Sequence, residues 1–425
     1  MFKRASLVVC LILSCTILVK AAINPDKTFD STIHTVLIHP SGNMLALPVL
    51  SLNGSTPLEI SFDDFKSQYQ NYYYAVELVN ADWSPVALNP FDYLQGFNQN
   101  RITDFSISSI AIQSYYHYKF NFPNQNCRPT KSGNYIMRVY KDGNPNNIIF
   151  TRRFFVVDEQ VSVGATVQEP FDAAISRTHQ KIQISINTKK LTYFQPNQLL
   201  VQVIQNKRFN DGIQMTSPTF VRGDVIEYNN ESDLIFPSGK EARWLDLQSL
   251  RLVSDRISSF ESIQKGTIVH VKPDVSRQSI PYFTFKDLNG NFIISNTESL
   301  ESDQQNDYAQ VMFTYIPPNH LPYVGQRLFL SGTLTNNTLD NAAEMLFNAK
   351  QGVYQKTLLL KQGYYSYNYI LRDMDQADPL QDFAETEGDH WETENDYSVF
   401  VYYRPPGERH DHLIGLRTVN SKQGW

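Results

Sequence analysis

Short stretches of alternating apolar and polar residues run along most of the chain. Alternation with a period of two is the pattern of a β-strand that has one packed face and one solvated face. In the first third of the chain it predicts strands at residues 33–38, 58–62, 72–79, 115–122, 135–140 and 148–157. Turn-forming residues separate these stretches, and residues 141–145 read Lys-Asp-Gly-Asn-Pro, which is typical of a hairpin. The regular spacing predicts an immunoglobulin-like or fibronectin-like β-sandwich.

Residues 352–404 contain two more stretches that are rich in aromatic and β-branched residues. Tyr365, Tyr367 and Tyr369 alternate with polar residues, so on a strand they share one face. We expect paired strands here, with a turn at Lys361-Gln362-Gly363, because glycine enters positive φ without steric cost. The shared tyrosine face is either a core face or an open surface.

A chain of 425 residues is too long for a single hydrophobic core, and its aromatic content of 13% favours strands over helices. We therefore predict an all-β protein built from tandem β-sandwich domains. The composition shifts suggest a signal peptide at residues 1–21, an N-terminal β-sandwich at 22–158, a middle β domain at 159–287 and a C-terminal β-sandwich at 288–425. Trp83, directly after a strand, is expected to fill the first core.

The first residues have the pattern of an export signal. Lys3 and Arg4 precede an apolar run at residues 5–19, and a small-residue cleavage pattern ends at Ala21. Cys15 offers a second interpretation, a lipoprotein, although the apolar run continues beyond it. We expect an exported protein that begins near residue 22.

Net charge and cysteine content further restrict the class of protein to which this chain can belong. Removing residues 1–21 takes away three cations and no acids, so the formal charge falls from -6 to -9. Such a chain lacks the basic footprint of a nucleic-acid-binding protein. Only Cys127 would remain, so we expect stability from packed cores rather than from disulfides.

Residues that could carry chemistry are few. His410 and His412 share a face on a strand, but no third metal ligand is evident beside them. Glu385, Glu387 and Asp389 could pair as acids, as in a glycosidase, yet they fall in residues 374–393, which we expect to be a solvated acidic loop. We predict no catalytic residue, no cofactor-binding residue and no metal ligand, and therefore no enzyme.

Several short phrases occur in the order known from one protein family. They are Ala-Asp-Trp-Ser at 81–84, Tyr-Tyr-His-Tyr at 115–118, Ser-Gly-Asn-Tyr at 132–135, Gln-Asn at 205–206, Ile-Phe-Pro-Ser-Gly at 235–239, Leu-Leu-Lys-Gln-Gly-Tyr-Tyr at 359–365, Glu-Asn-Asp-Tyr at 394–397, Val-Tyr-Tyr-Arg-Pro at 401–405 and Leu-Ile-Gly at 413–415. Together they resemble the plug protein family of the type IX secretion system of Bacteroidota. The chain departs from the family pattern at Lys240-Glu241-Ala242-Arg243, where the family has Asn-Glu-Phe-Arg, and at residues 409–412, where it has Arg-Tyr-Asp-Arg.

The resemblance implies a periplasmic protein with no chemistry of its own. Such a protein would seat against the periplasmic side of a giant outer-membrane translocon β-barrel and seal it when no cargo passes. Residues 298–307 and 374–393 are our candidates for that contact, because both are acidic. A carbohydrate-binding protein is the alternative, and it would need several of Tyr364, Tyr365, Tyr367 and Tyr369 on one open face.

Overall fold

The computed structural model describes residues 25–109, 111–191, 195–264, 266–297, 302–373 and 383–422, so the predicted signal peptide at residues 1–21 lies outside it. The protein is 48% strand and 5% helix, which confirms the predicted all-β class of tandem β-sandwiches. The helical elements are single turns: α1 (Pro90–Tyr93), α2 (Ser302–Gln305) and 3-10 turns at Pro196–Gln198, Phe209–Asp211, Pro318–His320 and Thr333–Thr335. None of the helices in the described part of the chain has the length and apolar content that a membrane span requires.

The first sandwich contains twelve strands. They are β1 (Lys27–Thr28), β2 (Ile33–Pro40), β3 (Val49–Ser51), β4 (Leu58–Asp64), β5 (Tyr72–Val79), β6 (Leu94–Gly96), β7 (Asn100–Arg101), β8 (Phe105–Ile107), β9 (Tyr116–Phe122), β10 (Cys127–Pro129), β11 (Gly133–Lys141) and β12 (Ile148–Val157). One sheet has the order β1-β12-β11-β5-β7 with β3 beside β12, the other has the order β2-β4-β9-β8, and β6 pairs with β10. The six strands predicted in this region are all present.

The predicted hairpin joins β11 to β12. Asp142 and Gly143 both have positive φ, at 57° and 67°, which is the conformation that a tight turn between twisted strands requires. Alternating side chains of the two sheets then meet in one core, in which Phe62, Tyr72 and Phe154 are fully buried. The sequence pattern alone was sufficient to predict this hairpin, because the turn residues and the alternation of the flanking strands indicate the same structure.

The second sandwich begins with seven strands. They are β13 (Ser162–Gln168), β14 (His179–Asn187), β15 (Leu199–Gln205), β16 (Ile213–Met215), β17 (Phe220–Arg222), β18 (Val225–Tyr228) and β19 (Ile235–Pro237). One sheet has the order β13-β14-β18-β17 with β19 beside β14. The other sheet contains only β15 and β16 from this part of the chain, so strands from elsewhere must complete it.

The third sandwich follows with ten strands. They are β20 (Arg243–Asp246), β21 (Ile257–Ile263), β22 (Gly266–Val271), β23 (Asp274–Val275), β24 (Phe292–Ile294), β25 (Tyr308–Ile316), β26 (Gln326–Ser331), β27 (Leu346–Asn348), β28 (Val353–Lys361) and β29 (Gly363–Asp373). One sheet has β20, β24 and β26 paired with β29, and the other has the order β21-β22-β25-β28-β27 with β23 beside β25.

The last two strands return to the second sandwich. β30 (Asp396–Tyr403) pairs with β15, and β31 (His412–Asn420) pairs with β30. The third sandwich is therefore inserted into the second, and the strand pairing crosses the predicted boundary at residues 287–288. Alternation reports which residues face a core, but it does not report which strand lies next to which.

The predicted turn at Lys361-Gln362-Gly363 is not a hairpin turn. β28 and β29 belong to opposite sheets of the third sandwich, so the chain crosses the core here instead of folding back on its neighbour. Gly363 does not adopt positive φ, but a Cβ at this position would overlap the carbonyl oxygen of Ile293. The glycine is needed for close approach of two backbones.

A separate apolar cluster joins the first and second sandwiches. Trp83 is buried there rather than in the first core, where the sequence had suggested it, and its ring packs on Phe155 at 5.7 Å between centroids. Phe400 and Tyr402 of β30 belong to the same cluster. The returning strands therefore form the surface on which the first sandwich rests.

Candidate functional site

The acidic stretch predicted as a solvated loop is partly a packed segment. Residues 374–382 lie outside the described residues, but residues 383–393 fold back onto the third sandwich. Phe383, Thr386 and Glu387 are buried there. The expectation of solvation is wrong for Glu387 and Asp389, whose carboxylates have partners that are far away in the sequence, whereas Glu385 is exposed as expected.

Glu387 lies in a buried network that we call the arginine network, formed by Arg243, Arg256, Arg277, Asp274 and Glu387. Nε of Arg243 donates to Glu387 Oε1 at 3.0 Å, and Nε of Arg277 donates to Glu387 Oε2 at 2.7 Å. Nη1 of Arg243 donates to Asp274 Oδ1 at 2.7 Å, and Arg256 donates to the same oxygen. Each buried carboxylate is thus held by two guanidinium groups.

Tyrosines of β29 complete the arginine network. The hydroxyls of Tyr367 and Tyr369 each donate to Asp274 Oδ2 at 2.9 Å, and the Tyr369 backbone N–H donates to Glu387 Oε1 at 2.9 Å. Burial alone would lower the pKa of Arg243, but the charges of Glu387 and Asp274 outweigh it and raise that pKa. Arg243, Arg277 and the Tyr369 backbone therefore hold Glu387, and with it residues 383–393, against the sheet.

The acid pair suggested by the sequence is not assembled. Glu387 is saturated by arginine donors, Glu385 is exposed, and Asp389 accepts a hydrogen bond from the backbone N–H of Gly239 at 2.6 Å. A glycosidase needs one protonated and one free carboxyl facing each other across a bond. The arrangement of these three residues does not provide that.

A second buried charge network, the joint network, connects the first and third sandwiches through Asp63, His117, Tyr308 and Lys361. Nζ of Lys361 lies 2.6 Å from Asp63 Oδ2, and the Tyr308 hydroxyl donates to the same oxygen at 2.5 Å. Nδ1 of His117 lies 2.6 Å from Asp63 Oδ1. Burial alone would raise the pKa of Asp63, but Lys361 and His117 outweigh it and hold that pKa below its usual value.

The second acidic segment, residues 298–307, also contributes to this joint. Residues 298–301 lie outside the described residues, but Asp307 Oδ1 accepts from the Ile112 N–H at 2.6 Å. Gln305 Oε1 accepts from the Ser109 N–H at 3.0 Å. The described part of this segment is thus attached to the first sandwich rather than being free for a partner.

A cleft of about 320 Å³ opens beside the joint network, between the three sandwiches. Arg152 and Lys207 line it together with Lys361. Burial lowers the pKa of Arg152 to about 10 and that of Lys207 to about 8, with Asp26 and Asp396 respectively acting in the opposite direction. The cleft is therefore a positively charged feature of an otherwise acidic chain.

The tyrosine face required for sugar binding is closed. Tyr365, Tyr367 and Tyr369 are at most 2% exposed and lie in the third core, while Tyr364 on the opposite face of β29 is partly buried. Because a sugar stacks only on an accessible ring, this overturns the proposed carbohydrate surface.

Cys127 is also buried, and burial raises the pKa of its thiol to about 11, so it does not behave as a reactive nucleophile.

His410 and His412 do have a third potential ligand beside them, which is Glu408. One donor atom from each residue lies within 4.8 Å of the others. His410 is fully buried, and burial together with the neighbouring His412 and Lys131 lowers its pKa to about 4. The structure places only His412 on a strand, while Glu408 and His410 lie in the bent segment before it, so the strand face expected from the sequence is not what brings the three residues together.

Large apolar side chains are exposed at several places on the first sandwich. Phe91 is 88% exposed and Phe97 is 72% exposed, on either side of β6. Phe105 and Ile107 are exposed on β8, which is the edge strand of its sheet. Phe171 of the second sandwich is a further example. Exposed aromatic residues of this kind are enriched at protein interfaces.

The architecture defines a multidomain protein of tandem β-sandwiches. Residues 33–158 match the family model described as the type 9 secretion system plug protein 1st domain. The chain belongs to the type IX secretion system plug protein family. The predicted resemblance is confirmed.

Solved structures give further comparisons. A hypothetical protein from Parabacteroides merdae is 31% identical, with a TM-score of 0.89 over 93% of this chain and 98% of that chain. The enterococcal surface protein N-terminal region is 7% identical, with a TM-score of 0.20 over 94% and 96% of the two chains. The BSP domain of a biofilm-associated protein is 9% identical, with a TM-score of 0.17 over 92% and 59%. The latter two scores carry no structural conclusion. No curated protein sequence matches the chain.

Proposed function

We propose that this protein is a non-enzymatic gating component that seals the periplasmic side of the outer-membrane translocon barrel of the type IX secretion system. The family match over the first sandwich carries the proposal, since it connects the chain to this secretion system. The plug would occupy the barrel mouth when no cargo passes and would leave when cargo arrives. Its place is the periplasm, against the inner side of the outer membrane.

The contacts that connect the first sandwich to the other two support a rigid plug. The first sandwich is held to the third by the buried pair of Asp63 and Lys361, and to the second by the apolar cluster around Trp83 and Phe155. Buried pairs and packed aromatic residues resist relative motion of the parts they join. The three sandwiches would therefore block an opening as one body.

The exposed aromatic residues of the first sandwich are the contact that we favour. Phe91 and Phe97 are both more than 70% exposed, and aromatic anchors typically supply much of the binding energy of an interface. Reversible sealing requires moderate affinity, which a few such anchors within a polar rim provide. The formal charge of -9 expected for the chain without residues 1–21 would add attraction to a basic barrel mouth, and salt would weaken it.

The test is co-purification of the translocon barrel with a tagged copy of the protein from cells that lack the native gene. We expect the barrel to be recovered with the native sequence and to be much reduced with Phe91→Ser plus Phe97→Ser. Phe171→Ser is the matched control, because this side chain is also 84% exposed but lies in the second sandwich. Recovery should remain unchanged with that control.

A second measurement concerns sealing itself. Cells without the protein should admit a large hydrophilic antibiotic faster than cells that carry it, provided that the translocon is present. If the barrel never co-purifies and the outer membrane is no leakier without the protein, the gating proposal is wrong.

A further inference from the structure

We propose that Glu408, His410 and His412 form a binding site for one divalent transition-metal ion of the zinc class, at the joint between the first and second sandwiches. This proposal is independent of the gating function. Two imidazole nitrogens and one carboxylate oxygen are a donor set that Zn²⁺ prefers, and a fourth position would remain for water.

The spacing of the donor atoms is close to what an ion requires. Glu408 Oε2 lies 3.8 Å from His410 Nδ1 and 3.8 Å from His412 Nε2. Two ligands that are each about 2.1 Å from a tetrahedral zinc ion lie about 3.4 Å apart. The exposed Glu408 side chain can shorten its two distances by a few tenths of an ångström, and the two imidazole nitrogens, which lie within 4.8 Å of each other, would also have to adjust.

The buried histidine is the second observation that indicates a ligand. The side chain of His410 is 0% exposed, yet neither of its ring nitrogens makes a hydrogen bond of normal geometry within the described residues, and the same holds for His412 Nε2. The Ser132 backbone and the Glu408 carboxylate approach the two rings only loosely. Buried polar atoms without partners are costly and are rare in native proteins. The two rings are also close, with 3.9 Å between centroids and an angle of 48° between their planes. A metal ion would bind one nitrogen of each ring, and the second nitrogen of His410 would still need another partner.

The backbone explains why the three side chains converge. The chain turns at residues 405–408, bends at residues 409–410 and enters β31 at His412, which brings the three side chains together. The first sandwich lies against this segment, because a Cβ added to Gly133 would lie 3.0 Å from the carbonyl oxygen of Asp411 and 3.8 Å from Cδ2 of His410. An ion here would therefore stiffen the segment against which the first sandwich packs.

One neighbouring cation competes for the carboxylate. Nζ of Lys131 lies 3.9 Å from Glu408 Oε2. An ion that binds Glu408 would have to displace this ammonium or approach it, and like charges repel. The site therefore predicts a gain in affinity when Lys131 is neutralised, which an ordinary surface histidine would not show.

The experiment is isothermal titration of ZnCl₂ into the purified exported chain, without a polyhistidine tag and after treatment with a chelator. We expect one zinc ion per chain, and Co²⁺ should give the visible absorption of a tetrahedral site. Glu408→Gln and His412→Ala should each weaken binding by at least about tenfold, since even the loss of an outer partner of a metal ligand costs about 10–100-fold. Lys131→Met should tighten it several-fold.

The matched control is Glu261→Gln. Glu261 Oε2 lies 3.3 Å from His270 Nε2, so this pair offers one histidine and one carboxylate but is not part of a three-ligand group. Zinc affinity should not change there. Glu408 is exposed, so its substitution tests the site without disturbing a core, and circular dichroism verifies the fold. No stoichiometric binding, or equal binding by Glu408→Gln and Glu261→Gln, would overturn the proposal.

Discussion

The two buried charge networks of this protein serve different purposes. The arginine network lies within the third sandwich, where Arg243 and Arg277 hold Glu387 against β29. The joint network lies between the first and third sandwiches, where the single carboxylate of Asp63 meets Lys361 across 298 residues of sequence. The first therefore fixes a segment to its own domain, and the second fixes one domain to another.

The charge partners differ in a way that suits these purposes. Guanidinium groups donate in a planar fork and hold a carboxylate in one orientation, as Arg243 does with both Asp274 and Glu387. The joint network instead uses the ammonium of Lys361, a point charge without a preferred plane, together with a tyrosine hydroxyl. A joint that contains one such charge pair is easier to open than a network of three arginines and two carboxylates.

The largest effect is expected from Glu387→Gln. This change leaves Arg243 and Arg277 buried without the carboxylate that compensates their charge, and removing one partner of a buried ion pair costs about 3–5 kcal/mol. The urea midpoint should fall and the amides of β29 should exchange faster. Glu385→Gln is the control, because this neighbour is exposed and its substitution should remain within about 0.5 kcal/mol.

A smaller effect is expected from Asp63→Asn. Lys361 loses its carboxylate, but Lys361 also lines the central cleft, so water can reach the ammonium once the pair opens. We expect a loss of about 2–3 kcal/mol, at the lower end for a broken buried pair. Faster hydrogen exchange should be confined to β4, β9 and the last residues of β28, where Lys361 lies, with β29 protected.

The control for this joint variant is Glu59→Gln. Glu59 pairs with Lys119 at 2.8 Å on the same sheet, but Lys119 is one-third exposed, so the change should cost less than about 1 kcal/mol. If Asp63→Asn loosens β29 as much as Glu387→Gln does, the two networks do not have separate purposes.

The smallest effect is a pH dependence near the arginine network. Burial raises the pKa of Asp287 to about 7. The folded state therefore keeps a proton that the unfolded state has already lost, so stability falls as pH rises from about 4 to about 7. Because Asp287 is partly exposed, we expect about 1–2 kcal/mol over this range rather than the full value for the shift.

Asp287→Asn should flatten that slope, as measured by urea unfolding at several pH values. The joint network gives stability a pH dependence of the opposite sign, because the pKa of Asp63 is lowered in the folded state. Its contribution is present above the pKa of the unfolded carboxyl, about 4, and is lost as pH falls below it. An unchanged slope in Asp287→Asn between pH 4 and 7 would assign the dependence to another group.

The sequence by itself determined the class of fold and its local elements. Alternation located β2, β4, β5, β9, β11 and β12, and the Asp142-Gly143 pair located the turn between the last two. These features depend on neighbours along the chain, since the period of two and the left-handed φ of a turn are local properties. The short sequence motifs in their order also identified the protein family, which the family model over residues 33–158 matches.

Only the tertiary structure decided which distant residues meet. The pairing of β15 with β30, the crossing between sheets at Gly363 and the burial of Glu387 all depend on contacts between residues far apart in sequence. A carboxylate in an acidic stretch looks solvated until an arginine more than a hundred residues away is placed beside it. The charge pattern of a sequence shows only which charged residues are near each other along the chain. The pKa and the burial of a charged group depend instead on its partners in space.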